Sequence, residues 1–291
     1  MFADHHDTDT INALRSKLIG ADINQSPSGI STVIFTFGYQ LAALLGFCFV
    51  YATIKSKNYA LPVIVFLAGL IAVYYGMQRS VFIAYSISTV IFCVVYFRKK
   101  AVPVLVGAIV LSLLFFFMVL KPGSGTGNNI LAKNIENTSN GENRSDLVVE
   151  DLKIYSRYPF GLIFYGRQWK DVTVDNPVFS GGLTSHNAYL MFFTYLGPIA
   201  SLLLLGLIYY PVIKIFKNSV ERIRASNFAI LTALCFSLLT ISINSLFHNA
   251  WLVNANGPTV FLYLGILYYN KMLPRVTDKP VEHLVGMPSL Q

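Results

Sequence analysis

A chain of 291 residues with 54% hydrophobic and only 12% charged residues falls well short of the roughly 25% charged content of soluble domains, which excludes an ordinary soluble protein. The net charge of +8 does not indicate a nucleic-acid binder, because Lys and Arg stand at the ends of apolar stretches and share no soluble face. Cys48, Cys93 and Cys235 all lie inside apolar stretches, so they read as small buried hydrophobes and not as disulfide partners or metal ligands.

The chain opens on MFADHHDTDT, acidic and polar, without the basic segment and apolar core of a signal peptide. Asp4, His5, His6, Asp7 and Asp9 form a metal-like cluster, and Asp7-x-Asp9 mimics the DxD of nucleotide-sugar transferases. That motif works inside a soluble, strand-rich nucleotide domain, which this sequence does not encode, so neither a metal nor a cofactor is expected. Residues 1–28 read as an extracytoplasmic segment. Four apolar spans follow within 29–120, at roughly 30–54, 59–77, 80–97 and 101–120. A long loop occupies 121–187. Three further spans, roughly 188–213, 226–247 and 257–270, fill 188–271, and 272–291 form a cytoplasmic tail. Most of these stretches approach or exceed the length needed to cross about 30 Å of hydrocarbon. A helix is the one open-ended element that satisfies its own backbone there. The expected fold is therefore all-α, a polytopic bundle of about seven spans with one long extracytoplasmic loop.

Orientation follows from the short connectors. Lys55 and Lys57 follow the first span; Arg98, Lys99 and Lys100 follow the third. Lys214, Lys217, Arg222 and Arg224 follow the fifth, and Lys271, Arg275 and Lys279 follow the seventh. Alternation puts all four groups on one side, which the positive-inside rule makes the cytoplasm. Arg79 then stands at the outer end of the third span, where Lys and Arg are otherwise scarce. Residues 1–28 fall outside too, ahead of the first helix. This reads as a former inter-helix loop, in a chain lacking upstream spans.

Within the long loop, 121–145 are rich in Gly, Asn and Ser and predict a flexible stretch. GSGTG at 123–127 lacks the Lys-Ser/Thr and strand-to-helix context of a phosphate loop. In 146–158, Leu147, Val148, Leu152 and Tyr155 recur at near-helical spacing, and Pro159 with Gly161 ends the element. This predicts a short amphipathic helix near the membrane surface, with Glu150 and Asp151 facing solvent. Residues 160–185 read as irregular, with Phe160, Phe164, Tyr165 and Trp169 suited to the interface. Arg79, Arg144, Arg157, Arg167 and His186 can all reach one outer boundary. Arginine forks suit phosphate oxygens, and a histidine exchanges protons near neutral pH.

The run SHNAYLMFFTYLGPIASLLLLGL (185–207) resembles the signature of the O-antigen polymerase and O-antigen ligase superfamily: a His-Asn pair, an aromatic-Leu step, then a Leu-Gly turn into a Leu-rich helix. NRSDLVVEDLKIYSRYPFGLIFYG (143–166) resembles its loop pattern, an Arg followed by Pro-x-Gly. GMQRSVFIAY (76–85) resembles its membrane-boundary Arg-Ser, and RSKLIGADINQSPSGIS (15–31) its short outer loop. Family members carry more spans than this chain. The resemblance implies a GT-C-like, metal-independent glycosyltransferase in a bacterial inner membrane. The donor would be an undecaprenyl-diphosphate-linked oligosaccharide, and the acceptor a sugar hydroxyl on a second repeat unit or on lipid A core. Besides that substrate and the lipid bilayer, the partner implied is a chain-length regulator. It implies Arg79 and Arg144 as the groups neutralising the diphosphate, and His186 as acceptor base or donor-positioning group. Arg157 and Asn187 are implied substrate contacts.

Each residue also has a plainer reading. Arg79 would snorkel at a helix end, Arg144 and Arg157 would be solvated, and Asn187 would cap its helix. His248-Asn249 repeats the His-Asn pair but lacks the Leu-Gly continuation, so a buried or interfacial role is expected of it. The choice between polymerase and ligase is open. A transporter or flippase would need intramembrane charges, which the spans lack. A truncated, non-catalytic remnant is the other alternative.

Overall fold

The computed structural model describes residues 8–19, 34–76, 78–120, 144–176, 179, 184–248 and 258–273. Among them every regular element is a helix. They are α1 (Thr8–Ile19), α2 (Ile34–Lys55), α3 (Ala60–Gly76), α4 (Arg79–Phe97), α5 (Ala101–Phe115, extended by a π turn Phe116–Leu120), α6 (Arg144–Arg157), α7 (Trp169–Thr173), α8 (Ala188–Glu221), α9 (Ala229–Asn244) and α10 (Thr259–Met272). Over its described residues, each apolar stretch identified in the sequence is mainly helical. Among the described residues three runs are long and apolar enough to cross a membrane: Arg79–Met118 with 40 residues, Ala188–Glu221 with 34 and Ser226–Asn244 with 19. Helix α1 falls in the N-terminal segment expected to be a polar loop. Residues 1–7, residues 121–143 of the Gly/Asn/Ser stretch 121–145, and 274–291 lie outside the described residues, with the DHHD cluster, most of the 15–31 segment, Asn249 and the tail cations Arg275 and Lys279.

The run Arg79–Met118 is two helices. Arg98 takes a left-handed φ of 50° at the end of α4, and the chain turns back through Arg98–Lys100. The Tyr74 ring at the end of α3 then meets Phe116 at the end of α5, centroids 6.0 Å apart, which sets α5 antiparallel to α4. The heart of the bundle is the antiparallel α2–α9 pair. Lys55 Nζ donates to Ser226 Oγ at 2.9 Å at one end, and Ser237 Oγ donates to the Ala43 carbonyl at 2.6 Å further along. Gly46 makes the close crossing possible, because a Cβ there would lie 2.5 Å from Thr240 Oγ1. Between helices in lipid, tight contact replaces water exclusion as the driving force, and small residues permit it. Phe92 plugs the centre, edge-on to Phe49 at 5.8 Å and to Phe236 at 5.2 Å.

Helix α8 is bent back on itself. Tyr189 and Tyr209 share a 2.9 Å hydrogen bond although twenty residues apart, where a straight helix would separate them by about 30 Å. The reversal is at Gly197, with φ 75° and ψ 174°, followed by Pro198. Ser201 Oγ closes the turn by donating to the Phe192 carbonyl at 2.7 Å. So the expected span 188–213 is a hairpin: a short arm 188–196 and a long arm 198–221. The long arm alone is about 36 Å, enough to cross a bilayer.

Pro198 has no N–H for Thr194, and the turn at Gly197 takes the Tyr195 carbonyl off its helical donor. The loop supplies both missing donors: Leu162 N–H to Thr194 O at 2.9 Å and Ile163 N–H to Tyr195 O at 3.1 Å. Backbone meets backbone here. A Cβ on Gly161 would lie 2.3 Å from Gly197 N, and one on Gly197 2.3 Å from Phe160 O. Around this seam a small core forms from Ile154, Leu162, Trp169, Phe179 and Met191. The loop is thus more ordered than expected over 160–176. Trp169 is buried inside it, while Phe160, Phe164 and Tyr165 remain exposed.

Candidate functional site

Two ends of the bundle differ in chemistry. At one end Lys55 meets Ser226, and Arg224 Nη2 donates to the Tyr96 carbonyl at 3.3 Å. This basic end collects the connectors after α2, α4 and α8. The other end is about 28 Å away along α4. It carries Arg79, Ser80, His186 and His248.

Three elements meet at that second end. Arg79 is the first residue of α4 and is half-buried. Its neighbour Ser80 is buried, with Oγ 2.9 Å from His248 Nε2 in a hydrogen bond whose direction the imidazole tautomer sets. The His248 ring stands edge-on to His186, centroids 6.2 Å apart. The Ala188 amide donates to the carbonyls of Ser245 at 2.9 Å and His248 at 3.1 Å, which locks the start of α8 onto the end of α9. His186 turns the chain into this lock with a left-handed φ of 53°. That conformation is costly for a residue with a Cβ, and it persists only where surrounding contacts enforce it. Asn187 caps α8, its Oδ1 accepting from Leu190 N–H at 3.1 Å.

The loop helix brings one more group. Asp151 has no solvent exposure, and its Oδ1 accepts from Thr194 Oγ1 at 2.6 Å. Its carboxyl also faces the buried hydroxyl of Ser185. Burial raises the Asp151 pKa above the ordinary carboxylate range; Thr194 and Ser185 oppose the rise. Ser185 immediately precedes His186, so Asp151 braces the turn that presents the histidine. Asn244 Oδ1, at the end of α9, is a buried polar atom without a partner among the described residues.

Arg79, His186 and Asn187 are therefore gathered at one end, as the sequence reading expected, with Asn187 spent on capping. Arg144 is the first residue of α6, and its side chain lies outside what the structure describes. Arg157, the last residue of α6, is exposed and lines a separate cleft of about 370 Å³ with Glu150, Asp171 and Asp175. Those carboxylates make a poor surrounding for a phosphate. The Glu150 pKa is lowered, first by its hydrogen bond from Lys153 and then by that from Asn176.

One expectation needs correction: Asp151 does not face solvent. The inward side of α6 and the turn after it runs Leu147, Asp151, Ile154 and Tyr158, spaced four, three and four residues apart, with Asp151 and Ile154 buried and Leu147 and Tyr158 partly so, while Leu152 is exposed. His248, expected to be buried or interfacial, is buried, and it stands between Ser80 and His186. Among known protein-family models, curated proteins and solved structures, none matches this chain.

Proposed function

We propose that this chain is a seven-span, multi-pass protein of a bacterial inner membrane with a GT-C-like fold, akin to the O-antigen polymerase and ligase superfamily. In this reading it transfers a glycan from an undecaprenyl-diphosphate-linked oligosaccharide to a sugar hydroxyl at the outer face, most simply to polymerise repeat units of a surface polysaccharide. The basic end is the cytoplasmic side. One observation carries the reading: Arg79-Ser80, His186 and His248 converge from three separate elements at the end opposite the basic connectors.

The chemistry follows from the groups. The acceptor oxygen attacks the anomeric carbon, the bond from that carbon to the phosphate oxygen breaks, and the diphosphate leaves with its electron pair. The Arg79 guanidinium, a bidentate donor of fixed charge, holds the departing diphosphate, with Arg144 as a second cation. His186 takes the proton of the acceptor hydroxyl, and His248 with Ser80 sets its surroundings. The buried Asn244 Oδ1, without a partner among the described residues, favours a polar occupant near this junction over simple helix contact. A ligase would use the same donor chemistry with lipid A core as acceptor. A polymerase would work beside a chain-length regulator.

The test uses cells whose surface polysaccharide depends on this gene. His186→Ala and Arg79→Ala each remove one transition-state contact, worth about 10²–10³ in rate. Long-chain polysaccharide should disappear while the amount of protein in the membrane is unchanged. Normal polymer in both variants would overturn the assignment. Loss of chain attachment to lipid A core, with polymer length intact, identifies the ligase.

A further inference from the structure

The basic end holds a cleft of about 650 Å³ between the α2–α3 turn and the α4–α5 turn. Its lining includes Lys57, Arg98, Lys99, Lys100 and Arg224, and no carboxylate among the described residues. Among the described residues, none of these five cations has an ion-pair partner. Five like charges around one cleft repel each other, and an anion between them relieves that repulsion. The backbone is arranged to gather them. Arg98 accepts the left-handed φ of 50° that folds Arg98–Lys100 over the cleft, and Arg224 is held there by the Tyr96 carbonyl at 3.3 Å.

The helices that leave this basic cleft carry exposed aliphatic side chains within two turns of it. Leu61 and Ile64 on α3 and Val102 and Val106 on α5 are exposed, Val102 by 70%. A cationic cleft from which exposed aliphatic helix surfaces lead away fits a molecule that is anionic at one end and hydrocarbon at the other. We infer that this cleft binds the phosphate-bearing headgroup of an anionic lipid in the leaflet at the basic end. The guanidinium groups of Arg98 and Arg224 grip the phosphate oxygens bidentately, and the three lysines add charge. This inference rests on the bundle lying in a bilayer and is independent of glycan transfer.

The full chain, purified in a neutral detergent, is titrated with phosphatidylglycerol, with phosphatidylcholine, and with inorganic phosphate, and its thermal unfolding midpoint is followed. Phosphatidylglycerol should raise the midpoint in a saturable way; the other two should not. Arg224→Gln and Lys99→Gln should each raise the half-saturating lipid concentration about fivefold. Lys170→Gln, an equal charge change on α7, should leave it unaltered. An equal response to phosphatidylcholine overturns the inference, because charge would then play no part. An equal response to inorganic phosphate overturns the lipid as occupant. Unchanged affinity in both cleft variants overturns the location. Should Arg224→Gln unfold, the comparison of the two lipids on the unaltered chain decides.

Discussion

At the scale of single residues, Asp151 holds the most information. Burial raises its pKa, so the folded protein keeps a proton that the unfolded chain releases. The sign follows by linkage: stability from this group is complete below the ordinary carboxylate range and is lost as pH rises through the raised folded value. Asp151→Asn removes that loss, so the variant's stability should change less between pH 4 and pH 7 than that of the unaltered chain, measured by thermal unfolding in detergent. A steeper pH dependence in the variant would show that the carboxylate is stabilised as an anion. Thr194→Val deletes the 2.6 Å donor and leaves Oδ1 unmet, at a cost of about 1–3 kcal/mol. The signal for this burial was present in the sequence. Asp151 sits on the stripe that Leu147, Ile154 and Tyr158 define, but a carboxylate on an apolar stripe reads as an irregularity until the Thr194 partner is known. The Ser80–His248 pair was less legible, because 168 residues separate its members and only tertiary structure joins them.

At the scale of elements, the helices were legible because long apolar stretches with few charges read as segments that must satisfy their own backbone. The bend in α8 was only half legible. Leu196-Gly197-Pro198 announces a turn, yet nothing local reveals that the chain reverses far enough for Tyr189 to reach Tyr209. What fixes the reversal is distant: the amides of Leu162 and Ile163 take the carbonyls that Pro198 and the Gly197 turn set free. Pro-Phe-Gly at 159–161 and Leu-Gly-Pro at 196–198 thus act as one joint, and each glycine is there for the other's backbone. Gly161→Ala and Gly197→Ala must each accept a left-handed φ and a contact near 2.3 Å with backbone. The left-handed conformation alone costs about 1–2 kcal/mol, and the overlap adds to it. Both variants should undock the loop, seen as faster proteolysis within α6 and α7 while the helices of the bundle stay protected. Gly166→Ala is the control, since a Cβ there meets nothing within 4 Å, although its φ of 63° is also left-handed. Equal protection in all three would mean that the seam does not hold the loop.

At the scale of the whole molecule, the decisive feature is that the two ends are chemically unlike. Charge counting along the connectors placed Lys55, Arg98–Lys100 and Arg222–Arg224 on one side, and the fold brings representatives of all three groups into contact or into one cleft. Arg79, His186 and His248 gather at the opposite end, in the same assembly as the α6–α7 loop core. If a bilayer lies between these ends, a probe that cannot cross it must distinguish them. Asn58→Cys, at the basic end, should react with an impermeant maleimide only after cells are opened. Ser145→Cys, exposed at the start of α6, should react in intact cells. Background is low, because Cys93 and Cys235 are buried and Cys48 is partly so. Equal labelling of both positions in intact cells would remove the bilayer from between the ends, and with it the placing of the histidine cluster at an outer surface. Labelling split as expected leaves the histidines and Arg79 on the outer face, with the cationic cleft on the inner one.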